Sequence, residues 1–147
     1  MQPSAVNDTA QHLTRRLLAE FGSDTHWTGR LSSSALSTAV ASFALTLTDV
    51  EDDHVLAARG MAWLTQHQNR DGGWGDTPIS GSNLSTTVLC WCALSRAASL
   101  GVPCVETVAR AEAWIRVRAG GIEPHAVSKA LLDHYGKDRT FSAPILT

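Results

Sequence analysis

The chain has 147 residues, 44% of them apolar and 18% charged, with a formal net charge of −2. That is room for one ordinary domain with a sizeable core, and it speaks against a disordered chain. It also speaks against a nucleic-acid partner, since the balance is slightly acidic and no Lys/Arg cluster occurs.

The first eight residues, Met-Gln-Pro-Ser-Ala-Val-Asn-Asp, carry no basic segment followed by an apolar one, so no secretory signal is read there. Residues 6–21 have the pattern of an amphipathic helix. Residues 31–48 contain no Asp, Glu, Lys or Arg; within them Leu36, Val40, Phe43 and Leu47 recur at helical spacing behind the cap candidates Ser32–Ser34. Residues 52–69 form a charged amphipathic segment with Leu56, Gly60, Trp63 and Leu64 on one face, closed by the turn signal Asn69-Arg70-Asp71-Gly72-Gly73. Residues 77–95 are again free of charge, with Ser82 and Asn83 as cap candidates. Residues 104–118 predict a further amphipathic helix, and 125–135 a short one closed by Gly136. No alternation of strand period competes.

The uncharged stretches approach membrane-spanning length, but their Ser, Thr and Asn content favours buried helices of a soluble fold. The three cysteines, 90, 92 and 104, lack framework spacing and predict reduced thiols in a cytoplasmic protein. Cys90 and Cys92 stand two apart on a helix and point in different directions, so no metal site is expected there.

Charged and uncharged helices therefore alternate. A helix without charge should be covered on all sides, and a helix with one polar face should lie outside. The expected fold is all-α: a partial α/α toroid of about three helical hairpins in inner and outer layers, one domain over residues 1–147. Internal repetition supports this. A shift of 48 places Leu36-Ser37-Thr38-x-Val40 on Leu84-Ser85-Thr86-x-Val88 and Phe43 on Trp91; a shift of 51 places Arg59-Gly60-x-x-Trp63-Leu64 on Arg110-Ala111-x-x-Trp114-Ile115. A period near 50 residues is the mark of a stacked array of one unit. The last repeat is weaker, with Ala119 and His125 at the positions of Gln68 and Trp74, and residues 141–147 are largely apolar. The expectation is a piece of a longer array.

The run Arg59-Gly60-x-x-Trp63-Leu64-x-x-x-Gln68-x-x-x-Gly72-x-Trp74 resembles the QW motif of squalene–hopene and oxidosqualene cyclases. Gly75-Asp76-Thr77, Ser82 to Thr87, Trp27-x-Gly29-x-Leu31 to Thr38, and Lys137 to Ser142 resemble bacterial members of that family, so the likeness covers roughly residues 25–147. It implies an α/α toroid and the cyclisation of a linear triterpene such as squalene. In that chemistry the central Asp of an Asp-x-Asp-Asp motif protonates an alkene or epoxide. The resemblance further implies aromatic side chains along the cavity, peripheral contact with a membrane, and no metal or organic cofactor. Phe43 and Trp91, at one repeat position on the two uncharged helices, are the candidates for a cavity wall that steadies carbocations; packing between the two layers is the competing reading.

The chain departs from the family pattern at the acid. Neither clear inner helix opens with a carboxylate. The nearest acidic run is Asp49-Val50-Glu51-Asp52-Asp53, at the start of an outer helix, where carboxylates complement the helix dipole. Asp52 and Asp53 are thus weak catalytic candidates. Gln68 and Trp74 read as a clasp, with the Gln68 amide on backbone at the start of a neighbouring helix and Trp74 stacked over it. Competing readings remain: a helical-repeat module that binds a lipid or protein, a protein prenyltransferase β-subunit, or a complement-type thioester domain. The prenyltransferase reading lacks a convincing Asp/Cys/His zinc set, and the thioester reading lacks Cys-Gly-Glu-Gln.

Overall fold

The computed structural model describes residues 3–21, 26–27, 29 and 31–136. These contain six α-helices and one short 3₁₀ helix, and the β-structure among them is a single bridge between Phe21 and Trp27. The all-α class expected from the sequence is the class observed. Residues 137–147, which carry part of the family resemblance and the apolar end, lie outside the described residues.

Two compact units are present, residues 1–32 and 33–147. The first is built on α1 (Pro3–Ala19). Trp27 donates its indole N–H to the Leu17 carbonyl at 2.7 Å, and its ring meets Phe21 edge-on at 4.7 Å between centroids.

The second unit starts at α2 (Ala35–Leu45), capped by Ser34, whose hydroxyl accepts from the Ser37 N–H at 3.1 Å. Next comes α3 (Glu51–Gln66), with Glu51, Asp52 and Asp53 in its first turn and no side-chain cap. Asn83 caps α4 (Leu84–Leu94) by accepting from the Thr86 N–H at 2.8 Å. A 3₁₀ turn over Ala97–Leu100 leads to α5 (Val105–Ala119), and Pro124 pre-sets the first turn of α6 (Pro124–Tyr135). Helix α2 packs on α3 and α4, α4 on α5, and α5 on α6. Helix α3 thus lies against α2, and α5 lies against both α4 and α6.

One core cluster joins Ala35 and Ala39 of α2, Met61 and Leu64 of α3, Trp74, and Cys90, Ala93 and Leu94 of α4. A second joins Trp114 and Ile115 of α5 to Val127 and Leu131 of α6, with Leu84, Val88 and Trp91 of α4 packed against it. Each large side chain fully buried here contributes about 1.5–3 kcal/mol. All three cysteines are free thiols; Cys90 and Cys104 are buried, and burial pushes every one of the three up from its ordinary titration range.

One expectation is corrected. Helix α2 is not covered on all sides: Val40, Phe43 and Leu47, the stripe read from the sequence, are 49%, 38% and 66% exposed. The buried face is the small one, Ala35, Ala39, Ser42 and Thr46. The reason lies in α3. Gly60 has no side chain, and a Cβ there would collide with Ser42 and touch Thr38. The small Ser42 and Thr38 side chains of α2 thus pack directly on the Gly60 backbone of α3, which a larger residue at 60 would prevent, and the bulky stripe is turned away.

Candidate functional site

The Gly72-Gly73-Trp74 turn ties α3 to both following helices. Gln68, just past the end of α3, donates its amide N–H to the carbonyl of Gly72 at 2.8 Å and to that of Thr107, in the first turn of α5, at 2.9 Å. Trp74 is fully buried and donates its indole N–H at 2.9 Å to the Leu64 carbonyl in the last turn of α3, which also accepts the His67 N–H at 3.2 Å. The Trp74 backbone N–H donates to the Thr87 hydroxyl of α4 at 3.0 Å. Gly72 has φ 94°, and a Cβ there would stand 2.8 Å from the Arg110 carbonyl, so both its backbone conformation and its packing require glycine. Of the remaining motif residues, Trp63 is half-buried and stacks on His67 at 4.0 Å, Leu64 is in the core, and Arg59 is exposed.

Asp71 adds a second tie that sequence reading missed. Its Oδ2 accepts from the Trp114 indole at 2.9 Å, and its Oδ1 accepts from the Ser82 hydroxyl at 2.7 Å and the Gly73 N–H at 3.1 Å. Burial raises the carboxyl's pKa, but these donors outweigh it and hold the group below the usual carboxylate value. Arg110 closes the same turn, donating to the carbonyls of Asn69 and Arg70 at 2.9 Å each. The repeat pairs Arg110 with Arg59 and Trp114 with Trp63, and that alignment was the only hint that these side chains share a role.

A cleft of about 560 Å³ opens beside this junction, at the start of α4 and the ends of α5 and α6. Leu36, Leu84, Trp114 and Ala130 supply apolar lining, and Asp76, Ser85, Arg118, His134 and Tyr135 supply polar groups. Asp76 Oδ1 accepts from Asn83 at 2.9 Å and from the Thr86 hydroxyl at 2.5 Å, which fixes the entry into α4. The Ser85 and Tyr135 hydroxyls, fifty positions apart, meet at 2.9 Å. The Arg118 guanidinium lies over the Trp114 ring, 5.1 Å from its centroid.

The sequence-derived candidates do not converge. Phe43 lies on the open face of α2. Trp91 is half-buried against both core clusters and donates its indole N–H to Glu112 of α5 at 3.2 Å. Neither lines the cleft. Asp52 is exposed and Asp53 half-buried in the first turn of α3, away from both. No three His, Cys, Asp or Glu side chains gather as a metal site among the described residues. None of the described helices is long and apolar enough to cross a membrane.

Helical hairpins of alternating charged and uncharged helices, with the turn after α3 tied by Gln68 and Trp74, define a toroid-type helical repeat. The sequence matches the family model of the squalene-hopene cyclase N-terminal domain over residues 10–142, and the chain belongs to that family. No curated protein and no solved structure matches it.

Proposed function

We propose that the chain is a segment of a class II terpene cyclase that cyclises a linear triterpene by protonation, and that it supplies scaffold rather than the acid. The observation that carries this is the combination of family membership with the openings of the two uncharged helices: α2 and α4 have no acidic residue in the first turn. A strong acid held beside the alkene starts such a reaction, and aromatic groups alone do not. Asp52 is exposed in the first turn of α3, where an acidic side chain complements the helix dipole. Phe43, on an uncharged helix with its ring accessible, is a better candidate than Trp91 for contact with an isoprenoid. On this reading the working partners are an apolar isoprenoid such as squalene, the rest of a longer chain or further copies, and the surface of the membrane in which the substrate dissolves. No cofactor takes part.

The experiment is incubation of the purified chain with squalene in detergent, followed by gas chromatography. No cyclic product is expected. Turnover that disappears in Asp52→Asn or Asp53→Asn would overturn the reading and make the 49–53 run the proton donor. A second reading, a non-catalytic helical module that holds a lipid or protein, is favoured by the exposed stripe of α2. Retention of a hydrocarbon by the parent but not by Val40→Asp, with no product from either, would select it.

A further inference from the structure

We propose that the cleft between the start of α4 and the ends of α5 and α6 is a binding site for an amphiphile: one hydrocarbon chain ending in a phosphate. This goes beyond the cyclase reading and does not depend on it.

The lining divides by chemistry. Leu36, Leu84, Trp114 and Ala130 provide a surface that gains by covering hydrocarbon. The α5–α6 side carries Arg118 and His134. Both also line an adjoining cleft of about 580 Å³, where His125 and Lys129 stand. Lys129 is committed, since its ammonium pairs with Asp133 at 2.8 Å. Arg118 has no carboxylate partner among the described residues; its guanidinium lies over the Trp114 ring at 5.1 Å from the centroid, and its N–H donors are available to fork onto a phosphate. The acidic group of the cleft, Asp76, is on the side formed by residues 76–85, and its Oδ1 is occupied by Asn83 and Thr86. An anionic head therefore belongs on the Arg118–His134 side and the chain on the Leu84–Trp114 side.

Size sets the chain length. At roughly 30 Å³ for each heavy atom, by analogy with water in the liquid, 560 Å³ takes on the order of twenty atoms. That suits a phosphate on a chain of about ten to fifteen carbons. A plain hydrocarbon would leave Arg118, His134 and the Ser85–Tyr135 pair against an apolar surface, and inorganic phosphate would leave the apolar lining wet.

Isothermal titration calorimetry of the full chain tests this with four monomeric probes below their aggregation concentrations: decyl phosphate, decanol, decyltrimethylammonium and inorganic phosphate. Decyl phosphate is expected to bind one to one, at least about tenfold more tightly than each of the others. Arg118→Gln should weaken it by about tenfold, Arg118→Lys by less, and Arg116→Gln, on the same helix but outside the cleft, by less than about twofold. Arg118 is exposed, so the variants keep the helical circular dichroism of the parent. Equal binding of the cationic or neutral amphiphile would reduce the cleft to an unspecific apolar surface and overturn the proposal. So would inorganic phosphate binding as tightly as decyl phosphate, an Arg118→Gln variant that binds like the parent, or no binding of decyl phosphate at all.

Discussion

Helices α2 and α4 are two copies of one sequence pattern in two different surroundings. Leu84, Val88 and Trp91 of α4 pack on the cluster of Trp114, Ile115, Val127 and Leu131. Their repeat equivalents on α2, Leu36, Val40 and Phe43, have no such cluster, and Val40 and Phe43 stay exposed. The same stripe is core in one place and surface in the other, so the environment and not the pattern decides what a residue contributes.

The most direct test of that contrast is a pair of charges. Val88→Asp puts a carboxylate against the second cluster and should cost roughly 2–4 kcal/mol in a urea melt. Val40→Asp, on the open stripe, should stay within about 0.5 kcal/mol of the parent. Equal losses would mean that the α2 stripe is covered in solution. Trp74→Ala, which empties the junction joining α3 to α4, should lose about 3–5 kcal/mol, and Gln68→Ala roughly 1–3 kcal/mol by removing the amide bonds to the Gly72 and Thr107 carbonyls that tie the turn to α5. A parent-like melt for both would show that the junction is not what holds the hairpins together. At the two equivalent aromatics, Trp91→Ala should cost about 2–3 kcal/mol and Phe43→Ala under about 1 kcal/mol; a reversed order would exchange the roles given to the two helices.

The smallest effect is a pH dependence. The folded pKa of Asp71 is depressed, so its stabilisation is present above the unfolded value and is lost as pH falls through the folded one. Asp71→Asn should cost about 1 kcal/mol or less at pH 7, because the carboxylate is exposed and screened. Its difference from the parent should shrink as acid protonates the parent below 3.8. A gap that stays constant across that window would remove the charge from the account.

The sequence showed the helices well, because alternation of charged and uncharged segments and the caps Ser34 and Asn83 are local signals. The rotation of α2 was hidden. Ala35, Ala39, Ser42 and Thr46 share the spacing of Leu36, Val40, Phe43 and Leu47, so periodicity cannot say which set faces inward. The deciding fact is the missing side chain of Gly60 on another helix. Asp71 to Trp114 and Ser85 to Tyr135 are pairings of distant positions, and no local signal marks them. Gln68 and Trp74 could be placed only because a repeat fixed where the next helix begins; their partners, Thr107 and Leu64, emerged from packing.

Cys90 sits where α2, α3 and α4 come together, with no solvent access and its proton held firmly by burial. A thiol in that position cannot be alkylated until the helices part, since the reagent needs both access and thiolate. Half-buried Cys92, two residues away, is reached by solvent, although burial raises its thiol as well. The chain thus carries its own pair of clocks on a single helix: the lag between the two labelling rates, followed by mass spectrometry, measures how often α4 lifts off its neighbours under conditions in which the protein as a whole never unfolds.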